Sequence, residues 1–164
     1  MSGTTEQDSR PPRIAPATAR DVAFVRRLSA EVFGRFGRYD SLLPSIMPLP
    51  RMRTAIATTG GEPSGFAMYS LEDTANGEVD LVAIAVEPAR QSRGVGRALL
   101  RFVESEALAL SGEGPASVRL TVAEDNDAAR ALFERSGYLP IPGEHGVYDG
   151  GQRSMGLRKR LRRA

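Results

Sequence analysis

A short glycine-bearing stretch constrains this chain more than any other feature. Gln91-Ser92-Arg93-Gly94-Val95-Gly96-Arg97 follows an apolar run, Leu81 to Val86, that reads as a buried strand, and it opens an amphipathic helix. A strand that feeds a helix in this way commits the chain to a crossover, which is right-handed and returns a parallel strand. The same turn points several backbone N–H groups at one spot, and the helix dipole adds roughly half a positive charge there. Strand, glycine turn and helix start together make a cradle for a phosphate or pyrophosphate.

The remaining bounds are ordinary. A chain of 164 residues, 41% hydrophobic and 26% charged, suits a single globular domain. It has no apolar run long enough to span a membrane. Residues 1–12 are polar, rich in Ser, Thr and Pro, lack a secretory signal, and read as a disordered tail. Cysteine is absent, so no disulfide or thiolate chemistry is available, and the cytoplasm is the expected location. One histidine, His145, makes a histidine-built metal site a poor fit, and no metal is expected.

Net charge is +2, with Lys159 the single lysine. The basic residues Arg158, Lys159, Arg160, Arg162 and Arg163 crowd the end. They read as a solvated strand end and a frayed terminus, because no aromatic platform accompanies them as nucleic-acid binding would want. The domain is therefore expected over 13–158, with a basic tail over 159–164.

Periodicity and punctuation order the middle. Arg13 to Ala17 reads as a strand, and Thr18 with Asp21 as a capping box before the helical spacing of Val22, Val25, Leu28 and Val32. Gly34, Gly37 and three prolines leave room for one short helix near Ser41 to Ile46. Thr54 to Thr58 and Gly65 to Leu71 read as a hairpin around Gly60-Gly61-Glu62-Pro63, and Val79 to Val86 as a longer strand. After the helix from Gly94 to about Leu110, Val118 to Val122 alternates as a strand. Asn126 or Asp125 caps a second helix that Gly137 ends, and Tyr138 to Ile141 and Arg153 to Leu157 form a final strand pair. The expected class is α/β (α+β): a mixed, mostly antiparallel sheet of six to seven strands with helices on both faces.

The glycine turn can be tested against known phosphate motifs. A P-loop needs Lys followed by Ser or Thr after its second glycine, and Gly96 is followed by Arg97 and Ala98. A dinucleotide fingerprint needs a third glycine or alanine where Leu99 stands. The remaining reading is acyl-coenzyme A. Gln91, Gly94 and Gly96 match Gln/Arg-x-x-Gly-x-Gly/Ala, the signature of the GNAT acetyltransferase superfamily, which residues 78–140 resemble. Leu81 to Pro88 is similar to the family's fourth strand, Arg119 to Val122 to its fifth, and Asn126 with Ala128 to Tyr138 to the helix that follows. A helix-start turn without ligand explains one glycine; Gly96 inside the first turn costs roughly 0.5–1 kcal/mol, which a closely approaching ligand would offset.

The resemblance implies an N-acetyltransferase that moves an acetyl group from acetyl-coenzyme A to a primary amine, by direct attack in a ternary complex. The pyrophosphate would lie on N–H groups between Ser92 and Arg97, with Arg93 and Arg97 as added cations. The pantetheine arm would pair with Ile84, Ala85 and Val86. Asn126 would contact that arm, and Phe133 would pack against it. Asp80 and Glu78 are the candidate bases. Many family members carry a tyrosine acid at the position of Phe133, which has no hydroxyl; Tyr138 and Tyr148 are the phenols that could replace it. Thr121 stands where the branch acting on ribosomal-protein N-termini has a glutamate, so that branch's mechanism is disfavoured. The acceptor, a small molecule or a protein amine, would be held by residues 30–55 and 140–152, with Phe33, Phe36 and Tyr39 as lining. Arg35, Arg38, Arg51 and Arg53 hint at an acidic acceptor but read better as solvated charges, and His145 as an exposed histidine. Neither a membrane nor nucleic acid is an expected partner; a homodimer through an open strand edge is. The alternative is a non-catalytic acyl-coenzyme A binding regulatory module.

Overall fold

The computed structural model describes residues 10–164. The tail expected over 1–12 therefore falls almost wholly outside the described residues. One seven-stranded sheet organises the described residues, with strands β1 (Arg13–Pro16), β2 (Met52–Thr59), β3 (Glu62–Ser70), β4 (Glu78–Val86), β5 (Ala116–Ala123), β6 (Leu139–Ile141) and β7 (Ser154–Leu161). Their order across the sheet is β1-β2-β3-β4-β5-β7-β6. Neighbours are antiparallel except β4 and β5, which are parallel.

Among the described residues four α-helices cover the sheet: α1 (Val22–Phe33), α2 (Tyr39–Ile46), α3 (Val95–Leu110) and α4 (Asp127–Arg135). The parallel pair is the expected crossover, β4 to α3 to β5. On one face Val95, Leu99, Val103 and Phe133 pack on Tyr69, Leu81, Val118, Leu120 and Leu157. On the other, Val25, Leu28 and Leu43 pack on Ile56, Phe66, Met68 and Ala85. Helices on both faces follow from strands that present apolar side chains alternately up and down.

Several local signals act as the sequence indicates. Thr18 and Asp21 form a capping box, with the Thr18 N–H donating to Asp21 Oδ2 at 2.7 Å. It starts a short 3-10 turn that leads into α1. The β2–β3 turn is tighter than expected. Gly60 and Gly61 both have positive φ, 59° and 84°, and Thr59 pairs with Glu62, so Glu62 and Pro63 join the strand.

The chain end needs a larger correction. β7 runs to Leu161, three residues past the expected domain end. Lys159 Nζ lies 2.6 Å from Glu104 of α3, whose carboxylate is buried, and Arg158 Nε donates to Glu78 at 2.7 Å. Arg163 donates to the carbonyl of Leu108 in the last turn of α3 and to those of Gly112 and Gly114 just past its end, the last at 2.8 Å. Most of the charge read as a tail is thus strand and cap.

Candidate active site

The site arises from a single inserted residue. Between β3 and β4, Tyr69 pairs with Leu81 and Met68 with Ala83, so Val82 is an extra residue on β4. Such a bulge bends its strand. It also reverses which side chains face which helices: Val79 and Leu81 join the α3 face, whereas Ala83 and Ala85 join the α1 face. The parallel pairing of β4 with β5 ends at Leu81 and Leu120. Beyond that point the strands part. The gap is a cleft of about 650 Å³ walled by Leu81–Val86 on one side and Leu120–Ala123 on the other. Ile84, Ala85 and Val86 still pair with β3, so their second edge is open toward the cleft.

The glycine loop closes one end of this cleft. Ser92 has φ 63° and Gly94 φ 86°, both left-handed. Gly94 caps α3 without a side-chain hydrogen bond, and the Ala98 N–H is the first to bond back, to the Gly94 carbonyl at 3.0 Å. The N–H groups of Val95, Gly96 and Arg97 have no carbonyl one turn behind them. Gly94, Gly96 and Arg97 line the cleft, so the positive end of the α3 dipole lies at its end. Gln91 Nε2 donates to the Val86 carbonyl at 3.3 Å and ties the loop to β4. Gln91, Ser92, Gly94, Gly96, Arg97, Asn126 and Phe133 all line the cleft. Arg93 and Val95 do not; the Val95 side chain is buried in the core.

Two glycines act through packing. A Cβ on Gly96 would fall 3.1 Å from Leu132 Cδ2 of α4 and 3.6 Å from Val86, so the close approach there comes from protein. A Cβ on Gly65 would fall 2.6 Å from the Ala85 carbonyl oxygen and against Val95 and Leu99. Gly65 lets the start of α3 sit down on β3 and β4. At the start of α4, Asn126 Oδ1 accepts from the Ala129 N–H at 3.3 Å, so it caps the helix from a position on the cleft wall.

The four acid–base candidates separate clearly. Glu78 lies at the start of β4, held by Arg158 and by the Ser117 hydroxyl at 2.9 Å. Burial pulls its pKa upward, but the hydrogen bonds from Arg158 and Ser117 outweigh it and hold the carboxyl below its ordinary range. Asp80 stands opposite Arg119. Desolvation, opposed by Arg119 and aided by Glu78, Asp73 and Glu72, moves it upward. Neither carboxylate lines the cleft, because both precede the bulge. Tyr138 is 2% exposed, packs edge-on to Phe133 at 5.8 Å, and has a hydroxyl without a hydrogen-bond partner. Burial raises its phenol far above the usual range, and it too lies off the cleft. The structure therefore does not bring Glu78, Asp80 and Tyr138 to the cleft wall. Tyr148 alone of the four lines the cleft. Burial raises its phenol, with the Thr121 hydroxyl acting the other way.

A second cavity, about 480 Å³, adjoins the first and is walled by Arg38, Tyr39, His145, Asp149 and neighbours. Tyr39, Thr121 and Tyr148 line both cavities. The aromatic rings expected to line an acceptor pocket do cluster here: Phe33 on Tyr39 at 5.5 Å, Phe36 on Tyr148 at 5.3 Å, Tyr39 on Tyr148 at 6.5 Å. The two loops that carry them are stitched together. Gly150 N–H donates to the Phe36 carbonyl at 3.2 Å and Gln152 Nε2 to the Arg35 carbonyl at 3.0 Å. Arg35 also reaches Asp125 at 3.1 Å, before α4. Loops 34–38 and 142–153 thus roof the β5 side of the cleft. His145, read from the sequence as an exposed histidine of the 140–152 segment, is instead half-buried in the wall of this second cavity. The flanking glycines, Gly143 and Gly146, marked a loop but not where it folds.

Among the described residues no group of three His, Cys, Asp or Glu side chains is placed to hold a metal, and no helix is long and apolar enough to cross a membrane.

A profile of the acetyltransferase (GNAT) family matches residues 23–138. The N-alpha-acetyltransferase RimI of Mycobacterium tuberculosis is 34% identical over 136 residues, 82% of each chain. The ribosomal-protein-S18-alanine N-acetyltransferase of Escherichia coli shares the fold, with a TM-score of 0.75 at 23% identity over 94% of this chain and 96% of that one. NAA60 of Arabidopsis thaliana, solved in complex with acetyl-CoA, gives a TM-score of 0.74 at 13% identity over 92% of this chain and 99% of that one.

Proposed function

The chain belongs to the acetyltransferase (GNAT) family, and within it we propose that it moves the acetyl group of acetyl-coenzyme A to a primary amine, without a covalent enzyme intermediate. The observation that carries this reading is the junction of two cavities at Tyr39, Thr121 and Tyr148, one ending in an open helix N-terminus and the other walled by polar side chains. A donor and an acceptor entering from opposite sides would meet there.

The protein's part is mainly positioning. The N–H groups of Val95, Gly96 and Arg97 would bind the pyrophosphate. The open edge of Ile84–Val86 would hold the pantetheine arm as an added strand. An N–H on that edge, near Ile84, would stabilise negative charge on the thioester oxygen. Tyr148 would protonate the departing thiolate, since a phenol carries its proton at neutral pH. The α-amine of a polypeptide is the first acceptor class to try, given that the relative from Mycobacterium tuberculosis is an N-alpha-acetyltransferase.

Calorimetry with acetyl-coenzyme A, combined with thiol release against a panel of peptides and polyamines, tests the proposal. Wild type should bind the coenzyme and release thiol only with an amine present. Gly94→Glu, which puts a side chain and an anion at a left-handed position, should weaken binding at least tenfold. Wild type that does not bind acetyl-coenzyme A would sink the reading.

A further inference from the structure

The second cavity holds one imidazole that no step above uses. His145 is the chain's single histidine, half-buried in the loop between β6 and β7. Its Nε2 lies 2.9 Å from the Ile141 carbonyl oxygen. A carbonyl only accepts, so Nε2 carries the hydrogen and donates it; in the neutral ring Nδ1 is left with its lone pair. The ring rests on Gly156, where a Cβ would fall 2.5 Å from Cε1 and 2.8 Å from Nδ1. Gly156 stands opposite Thr121 in the β5–β7 register. Directly opposed residues project from the same face. The imidazole therefore fills the place of a residue-156 side chain, beside Thr121, where the two cavities meet. A glycine at 156 is what makes that place available.

We propose that His145 is the general base that takes the proton from the acceptor's ammonium, with the Ile141 carbonyl fixing its tautomer. The proposal rests on the acetyl-transfer reading above. The other charged or titratable groups facing the cavity are Arg38 and Tyr39 from the start of α2, and Tyr148 and Asp149 from the ring's own loop. Arg38 is paired with Asp40 at 3.1 Å. Arginine and tyrosine are proton donors here, and among side chains that accept protons imidazole is the most frequent general base. The step balances. R–NH3+ gives one proton to Nδ1, and the freed lone pair forms the C–N bond at the thioester carbonyl as the C–S bond breaks. The nitrogen's second proton goes to the thiol product, by way of Tyr148 or water. His145 returns its proton to solvent. Nothing is oxidised or reduced.

The test compares wild type, His145→Gln and Gly156→Ala, using acetyl-coenzyme A with an alanyl hexapeptide and with spermidine as acceptors. Rates are followed from about pH 6 to about pH 10, and coenzyme affinity is measured in parallel. For His145→Gln we expect coenzyme affinity within about twofold of wild type and a kcat lowered about 10²–10³-fold near neutral pH. That deficit should shrink as pH approaches the acceptor's own pKa, about 8 for an α-amine, where water removes the proton unaided. Gly156→Ala displaces the ring without removing it and should show a loss with the same pH dependence. An undiminished kcat in His145→Gln, or a loss equal at every pH, overturns the base assignment while leaving acetyl transfer intact. Wild type that binds the coenzyme but acetylates neither acceptor overturns the assignment too. Failure to bind the coenzyme overturns the underlying reading instead.

Discussion

Tyr148 and Glu78 show how differently two titratable residues of one chain can be used. Tyr148 lies where the cavities meet, with its phenol held up by burial. Tyr148→Phe keeps the ring packing on Phe36 and removes only the hydroxyl. We expect kcat to fall about 10- to 100-fold with little change in coenzyme affinity, measured by thiol release and calorimetry. Glu78 is a structural anion. Its folded pKa is depressed, so its contribution is present above the unfolded value of about 4.3 and is lost as pH falls through the folded pKa. Glu78→Gln should therefore cost about 1 kcal/mol near pH 7, modest because Arg158 is partly solvated. The variant should also lose less stability than wild type on acidification, as urea melts at several pH values will show. The sequence marks both residues as candidates, but it cannot separate them. A carboxylate on a strand looks the same whether it faces a cleft or an arginine eighty positions away.

At the scale of elements, the bulge at Val82 and the seating of α3 decide the site. Gly65 is where β3, β4 and α3 crowd together, and the atom nearest an added Cβ is the Ala85 carbonyl, which belongs to backbone. Gly65→Ala should cost about 2–3 kcal/mol by thermal or chemical melting. It should also weaken acetyl-coenzyme A binding, because the wall at Ala85 must shift. Gly96→Ala is the contrast. Its neighbour is the flexible end of Leu132, and alanine gains up to about 1 kcal/mol of helix propensity over glycine. Its net effect on stability should be within about 0.5 kcal/mol of zero by the same melts. Elements were legible because their signals are local: the capping box at Thr18, the glycine pair at 60–61, the alternation in β5. The bulge was not, since an extra residue in an all-apolar run leaves no trace until its partner strand fixes the register.

For the whole molecule, the C-terminal strand β7 completes the β5 side of the sheet and carries the short edge strand β6. β7 lies between β5 and β6, and Arg158 and Lys159 in its middle carry ion pairs to Glu78 and Glu104. Truncation after Leu161 should cost no more than about 1 kcal/mol, the loss of a carbonyl cap at Arg163. Truncation after Leu157 should yield no soluble folded protein, because β5 loses half its partner and a buried carboxylate is stranded. Soluble yield and circular dichroism distinguish these outcomes. The sequence by itself determined the crossover, the glycine-started helix, the two-faced sheet and the family resemblance, all of which rest on short-range periodicity and turn chemistry. Tertiary structure alone decided which ionisable groups reach the cleft, that the terminal charges belong to a strand, and that His145 comes to lie over Gly156 beside Thr121. Those are contacts between residues far apart in the chain, set by register and loop closure, for which no local pattern codes.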